Sequence, residues 1–269
     1  MLIRTWNMFH GNTKPPQRDA FLREAVELAL VDEPDVVCLQ ELPAWALPRL
    51  ASWTAYAVAP ALAEPPSLGP LPSTAEIGRA LTSLNAGLLR SAFSGQGNAI
   101  LVSPRLRLLE EHVCVLNPRR FRRAQAEWLS LGPLARLAWT KERRVCQAVR
   151  LSDGTRSLLV ANLHATSYPP DERLADAELL RAFVYVDGLA HPDEPVAVAG
   201  DFNVTFERSR TLLDVSSDEW GFSRPGPGID HVLVRGLEIT SGPTRWEPER
   251  RKRHGGLLSD HAPVDLVVE

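Results

Sequence analysis

Six apolar, strand-like runs in this chain are bordered at one end by residues that can hold a metal or move a proton. The bordering groups are Asn7; Gln40-Glu41; Asn162-Leu163-His164; Asp201-Phe202-Asn203; Asp230-His231; and Ser259-Asp260-His261, which precedes the last run. Each has an ordinary explanation when taken alone. An Asn at a strand end is commonly a turn-former, Gly200-Asp201 is a common turn signal, and a single His is more often a hydrogen-bonded structural residue. The ordinary explanation would have to hold six times. Strand ends of a packed sheet meet along one rim, so six such groups from six strands can build one site.

The residue types limit the chemistry. Carboxylate and amide oxygens, with no Cys ligands and no paired ligand histidines, suit Mg²⁺, Mn²⁺ or Ca²⁺ rather than Zn²⁺. No HExxH or Cys/His zinc spacing occurs, and Gly95-Gln96-Gly97 lacks the Lys-Ser/Thr and the helix of a phosphate loop. Carboxylate-held Mg²⁺ with two histidines matches phosphoester hydrolysis. The metal neutralises a phosphoryl oxygen, and a His with a carboxylate partner activates water.

The elements that must position these groups can be read from periodicity. Ile3–Asn7, Asp35–Glu41, Thr54–Ala59, Gly97–Ser103, Leu106–Leu116, Arg143–Leu151, Thr155–His164, Pro195–Ala199, Ile229–Val234 and Ala262–Val268 read as strands. Ser152-Asp153-Gly154 is a hairpin signal. Helices are expected over Gln17–Val31, over Leu42–Ser52 and over Asp171–Leu189. The last would bury a stripe of Leu174, Ala177, Leu180 and Val184. Pro60–Ser73 reads as a loop and Asn117–Lys141 as an inserted helix and loop. Strands outnumber helices and mostly follow as hairpin neighbours, which favours a mixed, largely antiparallel α/β arrangement. One domain spanning residues 1–269 is expected, with loop insertions near 60–96, 117–142 and 242–257.

Composition excludes several classes. The 269 residues carry 30 Lys+Arg against 33 Asp+Glu, a net charge of −3, so bulk attraction to duplex DNA is disfavoured. No apolar run approaches the roughly 18–20 residues of a membrane span. No secretory leader is visible at the amino terminus. The three cysteines, Cys38, Cys114 and Cys146, form no CxxC and read as thiols in a reducing, cytoplasmic setting. A monomer is expected.

The chain resembles the endonuclease/exonuclease/phosphatase superfamily, which includes pancreatic-type deoxyribonucleases, apurinic endonucleases, inositol polyphosphate 5-phosphatases and neutral sphingomyelinases. The resemblance rests on motifs in family order: Thr5–Asn7 (TWN), Leu39–Glu41 (LQE), Gly97–Leu101 (GNAIL), Asn162–His164 (NLH), Gly200–Asn203 (GDFN), Ile229–His231 (IDH) and Ser259–His261 (SDH). It implies a four-layer α/β/β/α sandwich with the site at the rim of two packed sheets. It implies Glu41 as the principal Mg²⁺ ligand, with Asn7 and Asp260 nearby and Mn²⁺ as a substitute. His261 would be the general base and Asp230 would hold its imidazole. Asp201 and Asn203 would orient the phosphoryl group or the nucleophile, and His164 would bind phosphate or assist the leaving group. Asn98, Asn162, Arg143, Arg144 and His10 are expected to meet the substrate. The chain departs from the family pattern in having Phe9 two residues after Asn7, where apurinic endonucleases carry an Asp. It also supplies no acidic partner for His164 near Gly97-Asn98.

A divalent-metal-dependent phosphodiesterase, a nuclease, is therefore the expected function. Its further support is three basic stretches, Arg119–Arg123, Lys141–Arg144 and Arg245–His254. Trp139 and Trp246 lie beside two of them, a mix used for single-stranded nucleic acid. A hydrolase of a small-molecule or lipid head-group phosphoester is the alternative. A non-catalytic module of the same fold is the least favoured, because the whole polar set is intact. A calcineurin-like phosphoesterase would need an early DxH and a GNHD-type string, and the chain has neither.

Overall fold

The computed structural model describes residues 1–17, 21–65, 67–68, 71–84 and 94–269. Eleven strands make up its two large sheets. They are β1 (Leu2–Asn7), β2 (Val36–Leu42), β3 (Ala57–Glu64), β4 (Gln96–Val102), β5 (Arg107–Val115), β6 (Val145–Ser152), β7 (Ser157–His164), β8 (Val196–Asp201), β9 (Asp230–Arg235), β10 (Ile239–Arg245) and β11 (Val264–Val268). The first sheet has the order β10-β11-β1-β2-β4-β3 and the second β9-β8-β7-β6-β5. Each sheet holds one parallel pair among antiparallel neighbours, β1 with β2 and β7 with β8. Each of those pairs is joined by a crossover that contains a helix, as parallel neighbours require. The crossover helices are α1 (Leu22–Ala29) and, further along the chain, Arg173–Leu189.

The helices between them are α2 (Leu50–Trp53), α3 (Ala75–Leu84), α4 (Arg119–Trp128) and α5 (Pro133–Thr140). Arg173–Leu189 is therefore α6, and α7 is Arg210–Val215. Three apolar layers hold the elements together. Ile3, Val36, Cys38 and Ile100 of the first sheet meet Val149, Val160, Ala197 and Val232 of the second. Leu22, Ala25, Val26 and Ala29 of α1 cover the other face of the first sheet, against Trp6, Val37 and Leu39. Leu179, Ala182, Phe183 and Val186 of α6, with Leu212 and Val215 of α7, cover the second sheet. The architecture is the expected four-layer α/β/β/α sandwich.

Period-two alternation places the site. Residues facing the space between the sheets run Ile3, Thr5, Asn7 on β1; Val160, Asn162, His164 on β7; Ala197, Ala199, Asp201 on β8; and Val234, Val232, Asp230 on β9. Each strand is apolar at one end of this space and polar at the other. Register then sets the polar ends side by side: Asn7 opposite Gln40, His164 opposite Asp201, and Asp201 opposite Asp230.

Several expectations about elements are corrected. Part of the Pro-rich run expected as a loop is strand, because β3 pairs with β4 from Ala57 through Glu64. Residues 66, 69 and 70 of that run, and 18–20 of the expected first helix, lie outside the described residues. The expected helix over Leu42–Ser52 is reduced to a 3₁₀ turn at Leu47–Arg49 leading into α2. Residues 117–141 form two helices, α4 and α5. β10 takes in residues 242–245, the start of a region read as an insertion. The stripe expected on α6 is displaced: Leu174 and Leu179 are buried, but Leu180 and Val184 are 48% and 56% exposed. The helix turns its Ala175–Leu179–Ala182–Val186 side to the sheet instead.

Gly200 shows how tightly the polar ends are drawn together. Its φ is +146°, and a Cβ there would lie 1.9 Å from the Leu163 carbonyl oxygen on the neighbouring strand. No side chain can be accommodated without separating β7 from β8, and with them His164 from Asp201. Gly200→Ala is expected to destabilise the fold by about 3 kcal/mol or more, beyond the usual cost of overpacking. Urea unfolding of the variant beside the wild type checks this.

Candidate active site

Glu41 would point away from the inter-sheet space if alternation continued along β2. It does not continue: the pairing of β2 with β4 shifts register between Leu39 and Leu42, and Glu41 has φ +52°. This bulge turns the carboxylate onto the rim. One oxygen there is 3.6 Å from His164 Nε2, and the other is 3.8 Å from His10 Nε2. Asn7 Nδ2 donates to Asp201 Oδ2 at 2.9 Å, and Asn7 Oδ1 accepts from the Phe9 amide at 2.9 Å.

Two histidines face this hollow in opposite electrostatic settings. His261 Nδ1 is 2.8 Å and 3.0 Å from the two oxygens of Asp230. Its Nε2 looks toward Asp201 Oδ2 at 3.8 Å and Asp260 Oδ1 at 4.0 Å. Burial opposes a charge on this ring. The Asp230 hydrogen bond and the charges of Asp201, Asp230 and Asp260 outweigh burial and push its pKa up to about 10. His164 is more deeply buried and has a cation beside it. Arg144 Nη1 lies 2.9 Å from its Nδ1, and Gln96 Nε2 lies 3.1 Å from the same atom. A guanidinium has only hydrogens to offer. The same Arg144 nitrogen is 3.2 Å from Nε2, which also faces Glu41 at 3.6 Å and Asp201 at 3.5 Å, so the ring lies between a guanidinium and two carboxylates. Burial, then the Arg144 charge, hold His164 well below the ordinary histidine range.

The carboxylates are under strain of like charge. Burial raises Asp201, and Asp230 beside it adds to the rise. Burial also raises Glu41; Arg144 and Asn7 oppose this, and Asp260 reinforces it. Among the described residues, ligand atoms of Asp201, Asp230 and His261 lie within 4.8 Å of one another. The His261–Asp230 bond already uses one face of that group, which leaves Glu41, Asp201 and Asp260 as oxygen donors around the hollow. An all-oxygen, acid-rich donor set of this kind fits a hard dication.

The structure brings Asn7, Glu41, His164, Asp201, Asp230, Asp260, His261, His10 and Arg144 to one rim. Asn203 joins them from the turn after β8; its φ is +53°, its amide N–H donates to Asp201, and its side chain donates to the Ala165 carbonyl. Arg143 is exposed beside Arg144. Asn98 is buried, with its amide near the Val145 carbonyl. Asn162 does not fit its expected substrate contact. It is fully buried, donates to the Leu39 and Ala99 carbonyls, and accepts from Gln40 at 2.7 Å. It ties the two sheets together beneath the site.

The aromatic-plus-basic reading is also corrected. Trp139 is buried with its N–H on Glu178, and Trp246 is buried with its N–H on Asp265. Arg250 stacks on Trp246 and pairs with Asp32, Arg251 is buried on the Leu258 and Ser259 carbonyls, and Arg253 and His254 pair with Glu24. Gln96 and Arg245, by contrast, reach the site although neither was expected there: Gln96 was read only as part of a non-phosphate Gly-x-Gly, and Arg245 only as the start of a basic stretch. Gln96 could have been found from the inward alternation Gln96, Asn98, Ile100, Val102.

A sequence model described as Endonuclease/Exonuclease/phosphatase family matches residues 5–261. The chain belongs to that family. Members are phosphodiesterases, nucleases and phosphatases, hydrolases of phosphoester bonds that typically use divalent metals. Solved structures agree on the fold. An endonuclease/exonuclease/phosphatase from Beutenbergia cavernae is 18% identical with a TM-score of 0.66, the match covering 99% of this chain and 70% of that one. A humanized D. rerio TDP2 is 17% identical, TM-score 0.62, covering 100% and 98%. The human Nocturnin catalytic domain, with bound sulfate, is 16% identical, TM-score 0.61, covering 100% and 93%. No curated protein matches the chain. No helix among the described residues is long and apolar enough to cross a membrane.

The surroundings of His261 link the stability of the fold to pH. His261 has a folded pKa of about 10 against an ordinary 6.5. A raised pKa means that the folded state holds the proton more tightly. The resulting stabilisation is fully present below pH 6.5 and is lost as pH rises through about 10. The stability gap between wild type and His261→Ala, measured by urea unfolding in chelator, is expected to narrow across that window.

Proposed function

We propose that this chain is a divalent-metal-dependent phosphodiester hydrolase that uses Mg²⁺, with Mn²⁺ as a substitute. The observation that supports it is the meeting of Glu41, His164, Asp201 and the Asp230–His261 pair at one rim, each from a different strand or turn. Glu41 and Asp260 would hold the metal, with Asn7 beside them. A bound dication would supply charge neutralisation at a phosphoryl oxygen.

The chain's own groups would do the rest. His261 takes the proton of the attacking water on Nε2, and Asp230 fixes the ring through Nδ1 and stabilises the imidazolium. Once the charge of the surrounding carboxylates is offset, the ring loses part of what retains its proton and returns toward the neutral form a base needs. Asp201 and Asn203 orient the nucleophile and the phosphoryl group. His164, held neutral, hydrogen-bonds a phosphoryl oxygen. Its Nδ1 meets Arg144 and Gln96 where a strong general acid would have a carboxylate. Arg144, held by His164 and Glu142, brings a fixed positive charge to the same side, and Arg143 and His10 line the approach.

Nucleic acid is the first substrate class to test. A small-molecule or lipid head-group phosphoester is the second, and one observation favours it: Trp139, Trp246 and most of the Arg250–His254 run are used within the fold. Hydrolysis assays with Mg²⁺ or Mn²⁺ across nicked, abasic, single-stranded and duplex DNA, RNA, and small phosphodiesters and monoesters separate the two. Binding to a nucleic-acid backbone would fall with salt by about −0.7 to −0.9 log units per phosphate contact. Absence of hydrolysis on every phosphoester would overturn the reading.

Glu41→Ala is expected to weaken Mg²⁺ binding in calorimetry and to cut turnover by roughly 10³-fold. Full activity in EDTA would remove the metal from the mechanism. Asp230→Asn is expected to cost less than His261→Ala, each within roughly 10²–10⁴-fold, and the double variant less than their product. Multiplicative losses would show that the pair does not act as a unit.

A further inference from the structure

Asp230 has a second cationic neighbour besides His261. Arg245 Nη2 lies 3.5 Å from Asp230 Oδ2. Asp230 begins β9, at the edge of the second sheet, and Arg245 ends β10, at the edge of the first. The contact therefore crosses from one sheet to the other at the rim that carries the site.

Three independent features of the backbone set this guanidinium in place. The pairing of β10 with β11 shifts register between Ile239 and Ser241 and again between Ser241 and Thr244. Such bulges re-aim the residues that follow them, and they are frequent beside active sites. The loop before Asp230 receives the strand through two glycines. A Cβ on Gly226 would lie 2.8 Å from Pro243 Cγ, and a Cβ on Gly228, whose φ is +98°, would lie 2.3 Å from Arg245 Nη2 and 3.2 Å from its Cζ. The guanidinium lies against bare backbone in a seat that any side chain at position 228 would fill. Its side chain is otherwise 45% exposed, so packing elsewhere does not hold it there.

The consequence concerns the carboxylate. A carboxylate bonded by one partner can swing about its last torsion, which is broad. A second cation on Oδ2 restricts that torsion, and the plane of the His261 ring is restricted with it. We propose that Arg245 is a positioning residue, which holds Asp230 in the orientation that aims His261 into the hollow. The proposal rests on the hydrolase reading given above. It adds a residue from the opposite sheet that acts through Asp230 and does not touch substrate.

Steady-state kinetics on a phosphodiester with Mg²⁺ test it, with Arg245→Ala, Arg245→Gln and Gly228→Ala beside the wild type. The expected result is a fall in kcat of about tenfold or more, smaller than for His261→Ala, with KM unchanged. Free guanidinium should restore part of the rate to Arg245→Ala and none to Gly228→Ala, whose seat is filled. Asp230→Asn should make Arg245→Ala nearly silent. A raised KM with unchanged kcat would mean that Arg245 contacts substrate only, and would overturn the proposal, as would no change at all. A second readout needs no turnover. In ¹⁵N-histidine-labelled protein, the His261 Nδ1 proton should be slow to exchange in the wild type and broadened in Arg245→Ala and Arg245→Gln. An unchanged signal overturns the positioning role. A wild type that cleaves no phosphoester but shows the expected broadening would refute the hydrolase reading while leaving the Arg245–Asp230–His261 coupling in place.

Discussion

Everything at the rim depends on a hydrogen bond beneath it, from Gln40 Nε2 to Asn162 Oδ1, made between the two sheets. The inter-sheet layer is apolar at one end, where Ile3, Val160 and Ala197 meet. It cannot pass directly to Glu41, Asp201 and Asp230 without leaving polar groups unmet, and an unmet buried polar group costs about 1–3 kcal/mol. Gln40 and Asn162 supply most of the transition, through the Gln40 amide N–H groups and both ends of the Asn162 amide, with Gln40 Oε1 left unpartnered. Gln40 also donates to Thr5, and Asn162 also donates to the Leu39 and Ala99 carbonyls, so four strands are fastened at one level. The charged residues then begin one step further out, where solvent and a cation can reach them.

The two histidines show how one fold sets opposite chemistry on similar rings. Carboxylates surround His261, whereas at His164 a guanidinium and an amide stand against Glu41 and Asp201. The contrast follows from which loops and strand ends meet each ring. Asp230 and Asp201 sit side by side on antiparallel strands, whereas Arg144 precedes β6, two strands away on the other side of β7.

Much of this site was legible in the sequence because strands have a fixed period. Asn7, His164, Asp201 and Asp230 each end an apolar alternation, and a packed pair of sheets has only one place for such ends to meet. Asn162 shares a motif with His164, and its type alone did not say that it would be used as a brace. Residues outside regular alternation were harder. Glu41 was legible as the acidic end of its apolar run, although a bulge and not alternation carries it to the rim; Arg245 arrives through two register shifts, which leave no mark that periodicity can detect. The basic run Arg250–His254 looked free because its partners, Asp32 and Glu24, lie more than two hundred residues away. On α6, Leu180 and Val184 fit a helical stripe as well as the true one does. The choice between the two faces is made by the sheet, through Phe183 against Phe202 and Phe222.

The cysteines give the layers a clock. Cys38 lies between the two sheets, and Cys146 lies beneath α6 on the opposite face of the second sheet. Burial pushes both thiols far above the range in which they ionise in water, so neither offers a thiolate to a reagent while its layer is closed. Each becomes reactive when its own layer parts. The sequence position of an alkylated cysteine would thus record which separation came first: sheet from sheet, or helix from sheet. Cys114, half-buried at the edge, is nearer the surface and would mark the folded chain.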